Sequence, residues 1–461
     1  MEESGVGHIV QAQRDFYNTG QTSDVAFRAK QLKNLLDAVT RHEADILQAL
    51  KADLNKPPLE AYSAEVGLLC AEIRYSLRHL KSWTASRRAP IHLTQFPASA
   101  WVYPEPYGVA LIIAPWNYPL LLIFAPLVGA IAAGNCAILK PSELSPNTSA
   151  LVASLVQECF DPRYITAVEG GPEAAQALLA ERFDYIFYTG SSEIGKQVMH
   201  AAAEHLTPVT LELGGKSPCV VDGEVDIERA ARRILWGKFF NAGQICIAPD
   251  YVLADRRIKP ALIGAMRRCL QRFYGDDPRR SPNYARIISQ KHYERLCGLL
   301  PHSASEGTIV SGGQTDGAER YIAPTIIDDV PSDSPLMQQE LFGPLLPVLE
   351  YQNLDEAIAF INKRPKPLAL YFFSTNRAHQ DRILAETSSG GGCINDTLLH
   401  FSTPYLPFGG VGDSGIGQYR GKASFDTFSH QKTFIKKGSL FDFWFRYPPY
   451  KDNLKWLRRV L

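Results

Sequence analysis

Residues 108–140 read GVALIIAPWNYPLLLIFAPLVGAIAAGNCAILK and carry no charge before the final lysine. The length of this run would permit a membrane helix. Its prolines argue otherwise. Pro115, Pro119 and Pro126 punctuate it, with Trp116-Asn117 between the first two, and proline breaks or kinks a helix interior. The pattern predicts a strand over 109–114, a turn, a buried helix over 120–133 and a second strand over 136–140, the interior of an α/β domain. The alternation continues downstream with short apolar strands at 165–169, 184–188 and 208–213, and a helix that opens at Ser145-Pro146, a cap and first-turn pair. Alternating elements of this kind predict a parallel sheet with right-handed crossovers. Such sheets bind nucleotides at the carboxyl ends of their strands.

Outward from this core the pattern changes. The first hundred residues are helical, with Leu32, Leu35, Leu36 and Val39 forming an amphipathic stripe. A second α/β region begins after residue 214 and runs through Gly312-Gly313, Pro324 and Glu340 to about residue 391. The stretch from Gly390 to His430 is rich in glycine and turn residues. The 461 residues suffice for two or three domains, and 45% apolar with 21% charged residues is ordinary for a globular protein. Lys plus Arg and Asp plus Glu both number 48, so no basic stripe points to nucleic acid. Eight cysteines without C-x-x-C spacing indicate neither a metal site nor a disulfide framework. Free thiols and an N-terminus without the signal-peptide pattern lead us to expect a cytoplasmic protein.

One cysteine stands apart. A helical stretch from Ile227 to Phe240 runs into Asn241-Ala242-Gly243-Gln244-Ile245-Cys246, which places a thiol after a glycine-containing break. Upstream, Glu212 lies on a short strand stopped by Gly214-Gly215. Val209, Leu211 and Leu213 share one face of that strand and Glu212 points the other way, toward a cleft. A thiol on a turn and a carboxylate at a strand end make a candidate nucleophile and base. The competing reading is a buried structural thiol, which suits Cys136, Cys159, Cys219, Cys269 and Cys297 in their apolar or helical settings. At the other strand ends, Thr189-Gly190-Ser191-Ser192-Glu193-Ile194-Gly195 precedes a helix, where glycine and free N–H groups suit a pyrophosphate. Taken alone, an ordinary β–α turn explains it equally well. Lys140 and Glu143 could hydrogen-bond ribose hydroxyls on the same edge, or form a solvated turn.

Together these motifs resemble the aldehyde dehydrogenase superfamily. Pro115-Trp116-Asn117, Lys140-Pro141-Ser142-Glu143, Thr189-Gly190-Ser191, Glu212-Leu213-Gly214-Gly215-Lys216, Gly243-Gln244-Ile245-Cys246, Glu340-Leu341-Phe342-Gly343-Pro344 and Pro407-Phe408-Gly409-Gly410 occur in the family's order, over roughly residues 8 to 450. Ile394-Asn395-Asp396-Thr397 and Arg446-Tyr447-Pro448-Pro449-Tyr450 look like the class 3 branch of fatty and aromatic aldehyde dehydrogenases. The text over 103–140 and 207–218 looks closest to cyanobacterial members, which implies long-chain aldehydes or apocarotenals as substrates.

The resemblance implies a Rossmann-like cofactor domain over 1–84 and 104–213 and an α/β catalytic domain over 214–391. It adds a β oligomerisation or bridging arm from 85–103 and 392–432, then a tail over 433–461. It implies that Cys246 attacks the aldehyde, that Asn117 and the Cys246 N–H hold the oxyanion, and that Glu212 activates water against the thioester. Trp116, Lys140, Glu143, Gly190, Ser191, Gly195, Leu213, Glu340 and Phe342 would bind the cofactor, NAD by preference with NADP accepted, because Glu143 repels a 2′-phosphate. The resemblance also implies a homodimer. Leu454, Leu457 and Leu461 would line one face of a C-terminal helix that packs on the partner, covers the tunnel or touches lipid. Ile245, Ile247 and Ser192 depart from common relatives, and the two isoleucines should narrow the tunnel beside the thiol. A CoA-acylating enzyme and a retired, non-catalytic member are the alternatives. Glu212 opposes the first and the intact residue set opposes the second.

Overall fold

The computed structural model describes residues 3–301, 303, 305–443, 446–450 and 453–460. The uncharged run forms the strand Val109–Ile113, the helix Leu121–Ala133 and the strand Cys136–Lys140. Every residue of that helix is buried. Among the described residues no helix is long and apolar enough to cross a membrane. These strands lie in a six-stranded sheet ordered 415–416, 209–212, 185–189, 109–113, 136–140 and 165–167. All its pairings are parallel except that of Gly415–Ile416. The register sets Ile113 beside both Lys140 and Tyr188, and Thr189 beside Glu212. The carboxyl ends of four strands therefore share one edge. The N-terminal helices Val25–Arg41, Glu43–Leu54 and Gly67–Trp83 pack against the helices Leu121–Ala133 and Pro146–Cys159, and Leu32, Leu35 and Val39 are buried in that core.

The second α/β unit is a seven-stranded sheet ordered 308–311, 325–328, 345–351, 251–255, 218–221, 369–373 and 391–394. It is parallel apart from its 308–311 edge. A three-stranded antiparallel sheet joins Arg87–Ala89, Ala98–Pro106 and Ser429–Lys437.

The expected arm segment 392–432 does not stay together. Gly391–Ile394 pairs with Ala369–Phe373 as the edge of the seven-stranded sheet. Gly415–Ile416 pairs with Val209–Glu212. The arm itself uses Ser429–Lys437, which runs five residues into the expected tail because nine consecutive residues find partners on Ala98–Pro106. Glycine makes this division possible. A side chain at Gly410 would meet the Ser414 carbonyl at 2.0 Å, and Gly415, at φ 150, is packed against the Leu211 carbonyl. The tail carries the helix Leu454–Val460, on which Leu454 and Leu457 are exposed. Leu461, Trp444, Phe445 and Lys451 lie outside the described residues.

Candidate active site

The loop that carries Cys246 is built by an abrupt change of backbone hand. The helix Ile227–Phe239 ends, and Asn241, Ala242 and Gly243 follow at φ 50, 51 and 75. Left-handed backbone costs a non-glycine residue about 1–2 kcal/mol, so Asn241 and Ala242 persist only because their surroundings hold them. The Asn241 N–H donates to the Glu60 carboxylate at 2.8 Å. Gln244 is buried and fully engaged: its Nε2 donates to the Asn241 and Arg286 carbonyls at 3.0 Å each, and its Oε1 accepts from the Ile288 N–H at 3.0 Å. A side chain at Gly243 would lie 2.3 Å from the Gly343 carbonyl. The loop that carries Cys246 thus rests directly on the loop that carries Glu340 and Phe342.

Cys246, Glu212 and Asn117 line one cavity of about 850 Å³. Glu212 is 2% exposed, and both its carboxyl oxygens lack a partner. Burial raises its pKa well above the ordinary carboxylate range. Burial also raises the Cys246 thiol, and the nearby Glu340 and Glu212 carboxylates add to that. Asn117 Nδ2 donates to the Gln244 carbonyl at 3.0 Å, which leaves its second amide hydrogen available.

Glu340 is pushed up to about 8, first by burial and then by the charge of Asp250. Asp250 also organises this loop, accepting from Lys216 Nζ at 2.6 Å and from the Leu341 N–H at 3.1 Å. Phe342 sits at φ 48, with its ring edge-on to Trp116 at 5.3 Å.

Trp116, Gly190, Ser191, Leu213, Glu340 and Phe342 also line the cavity. They suit a dinucleotide. Thr189 Oγ1 and Glu340 Oε1 are buried without partners, and the helix Ser192–Ala203 starts beside them, capped by Ser191. Three expected cofactor residues lie apart from this lining. Lys140 is buried at the end of its strand, donating to the Pro141 carbonyl at 2.7 Å and lying 3.4 Å from the partly exposed Glu143. Gly195 faces Leu213, whose side chain leaves no room for a Cβ, so its visible role is close packing of helix on strand. Ser192 borders a second cavity with Lys216 and Arg364. Among the described residues no group of His, Cys, Asp or Glu could hold a metal ion.

Much of the rest of the cavity lining is apolar: Leu121, Leu122, Trp236, Phe240, Leu398 and Phe401, with Ile245 and Ile247 on either side of Cys246 in the chain. Two residues escaped the sequence reading. His292 lies 5.1 Å from the Trp116 ring, and Arg295 Nη2 donates to the Leu341 carbonyl at 2.6 Å. Burial lowers the pKa of both, and neighbouring positive charge lowers His292 further. Their three-residue spacing on the helix Gln290–Cys297 was the available signal.

The model of the aldehyde dehydrogenase family matches residues 1–434. The chain is 51% identical over 443 residues to a 4,4'-diaponeurosporen-aldehyde dehydrogenase of Staphylococcus aureus, covering 96% of each. It is 48% identical over 448 residues to aldehyde dehydrogenase family 3 member B1 of Rattus norvegicus, covering 96% of this chain and 94% of that one. A substrate-bound structure of Staphylococcus aureus AldH superposes with a TM-score of 0.96 at 50% identity, covering 98% of each chain. An NAD+ complex of a Bacillus cereus aldehyde dehydrogenase superposes with a TM-score of 0.85 at 27% identity, covering 94% of this chain and 89% of that one.

Proposed function

The chain belongs to the aldehyde dehydrogenase family, and from that premise we propose that it oxidises medium to long apolar aldehydes, apocarotenals among them, to carboxylic acids, using NAD. One observation carries the reading: thiol, carboxyl and amide border a single cavity whose wall includes the apolar side chains of Leu121, Leu122, Trp236, Phe240, Leu398 and Phe401. Such a wall favours an extended apolar substrate over a small polar one. The apocarotenoid named for the Staphylococcus aureus relative fits the same description.

In this reading Cys246 gives up its S–H proton to solvent, its sulfur bonds to the aldehyde carbon, and the carbonyl electron pair moves onto oxygen. The free Asn117 amide hydrogen and the Cys246 N–H receive that charge, each such donor being worth roughly 3–4 kcal/mol in the transition state. A bound nicotinamide dinucleotide supplies the hydride acceptor. Glu340 holds its ribose, and Gly190, Ser191 and the adjoining helix start hold its pyrophosphate. Glu212 then takes a proton from the water that attacks the Cys246 thioester. The C–S bond breaks, the acid leaves and the thiol is restored. Burial favours the neutral forms of Cys246 and Glu212, so each must release a proton to solvent before it acts as nucleophile or base. A carboxyl beside the thiol supports hydrolysis over transfer to CoA.

Glu143, which the family resemblance would set near the adenosine ribose, would repel a 2′-phosphate and so supports NAD over NADP, and a tenfold or greater kcat/KM advantage for NADP would overturn that preference. We further assign a homodimer, supported by Phe434 and Ile435, which are each 54% exposed on the long arm strand. The test of function compares hexanal, a C16 aldehyde and a long polyene aldehyde by NADH formation, with Cys246→Ser alongside. Turnover rising with length and vanishing in the variant is expected. Turnover that survives the substitution would refute the nucleophile.

A further inference from the structure

Lys56 and Glu65 form an ion pair in which both side chains are fully buried, and no step above uses either. Lys56 follows Asn55, whose left-handed backbone at φ 50 ends the helix Glu43–Leu54 and turns the chain inward. Glu65 lies on a π-helical turn, Tyr62–Val66, ahead of the helix Gly67–Trp83. Such turns often occur at functional sites, and this one also presents Ser63 and Ala64 to the cavity.

The contacts of the pair converge on a single segment, Pro115 to Leu121. Lys56 Nζ donates to Glu65 Oε1 and to the Asn117 carbonyl at 2.9 Å, and it sits 4.2 Å from the centre of the Tyr118 ring. Glu65 Oε2 accepts the N–H groups of Leu120 at 2.9 Å and Leu121 at 3.3 Å. Glu65 therefore serves the start of the helix Leu121–Ala133, whose own first residue offers no side-chain cap. Proline explains why the turn needs outside help. Pro115 and Pro119 bring no N–H, and the donors to the buried Asn117 carbonyl are two side chains, Lys56 and Asn241.

A buried ion pair is a poor source of stability, because desolvation cancels most of its attraction. Its contacts here fix geometry instead. An oxyanion donor works only within about half an ångström of its productive place. We propose that Lys56 and Glu65 are positioning residues that set the Asn117 amide against the reacting oxygen. The inference rests on the reading of Asn117 as an oxyanion donor and deepens it. Neither residue lines the cavity, and both act through the Pro115–Leu121 turn.

The experiment compares Asn117→Ala, the neutral pair Lys56→Met/Glu65→Gln, and all three substitutions together, by thermal denaturation and by rapid-mixing NADH formation. The neutral pair should keep a Tm close to that of the parent, lose about tenfold to a hundredfold in NADH formation rate, and leave KM for NAD within about threefold, since it mis-sets one donor. Added to Asn117→Ala it should change the rate by less than about twofold, as expected for groups acting through one residue. A neutral pair that regains the full rate along with its Tm would overturn the proposal. So would a neutral pair that slows Asn117→Ala as much as it slows the parent. Glu65→Asp is the second variant should the neutral pair not fold. It keeps the charge but withdraws the carboxylate from Leu120 and Leu121, and the same slowing and the same lack of additivity are expected. An Asn117→Ala enzyme of full rate would instead refute the oxyanion reading itself.

Discussion

Gly243→Ala should damage catalysis far more than it damages the fold. The added methyl would stand 2.3 Å from the Gly343 carbonyl oxygen, on a backbone at φ 75. Left-handed strain costs an alanine about 1–2 kcal/mol. Relieving a clash of that depth in a filled region adds about 1–3 kcal/mol. A domain of ordinary stability survives a loss of about 2–5 kcal/mol with most molecules folded, so the Tm should fall by several degrees while the protein remains native at assay temperature. The clash is relieved by separating two loops, one carrying Cys246 and the other carrying Glu340 and Phe342. A displacement of about 1 Å between reacting partners costs about a hundredfold in rate. Steady-state NADH formation on the purified variant, with its Tm measured in the same buffer, gives both numbers. A variant whose kcat/KM stays within about twofold of the parent, at a Tm lowered as expected, would refute the claim that this contact sets the distance between nucleophile and cofactor loops.

Two further outcomes follow from the carboxyls. Glu212→Gln should keep the first rapid burst of NADH and lose about a hundredfold or more in steady-state turnover, because a general base contributes at least that much to thioester hydrolysis. Loss of the burst as well would reassign Glu212 to the acylation step. Glu340 is held near 8 instead of 4.5 by burial and by Asp250. The native state therefore prefers it protonated, and the associated stability is full below 4.5 and is lost as pH rises through 8. Glu340→Gln should flatten that decline, so that its Tm gains on the parent between about pH 6 and pH 9. A constant Tm difference across this range would show that Glu340 does not titrate there.

The α/β core was legible because its signals are local. Three prolines in an uncharged run gave the strand, helix and strand of 109–140, and the strand ends then placed Thr189 and Glu212 on one edge. The break after Phe239 pointed to Cys246, although nothing in the residue string announced that Asn241 and Ala242 would both be left-handed. The Asn241 N–H bond to the sequence-distant Glu60 carboxylate, together with a local bond from Gln244 to the Asn241 carbonyl, holds that conformation. The Lys56–Glu65 pair was hidden for the same reason: a lysine and a glutamate near a helix start look like solvated surface until Asn117 is brought over them. The division of 392–432 among three sheets was equally illegible, since a strand as short as Gly415–Ile416 has no periodicity to detect.

That two-residue strand has a kinetic consequence. Gly415–Ile416 closes the edge of Val209–Glu212, and the Leu213 N–H bonds to the Ser414 carbonyl at 3.1 Å. Ser429–Lys437 likewise completes a sheet begun at Ala98–Pro106. A ribosome must therefore add some two hundred residues after Glu212 before that edge can be sealed, and over three hundred after Pro106 before the arm can pair. Through that interval the nascent chain displays open strand edges, the surfaces most prone to mispairing with other chains. The strand that bears Glu212 therefore keeps one edge open until the distal segment has been made, and the candidate site is completed only then.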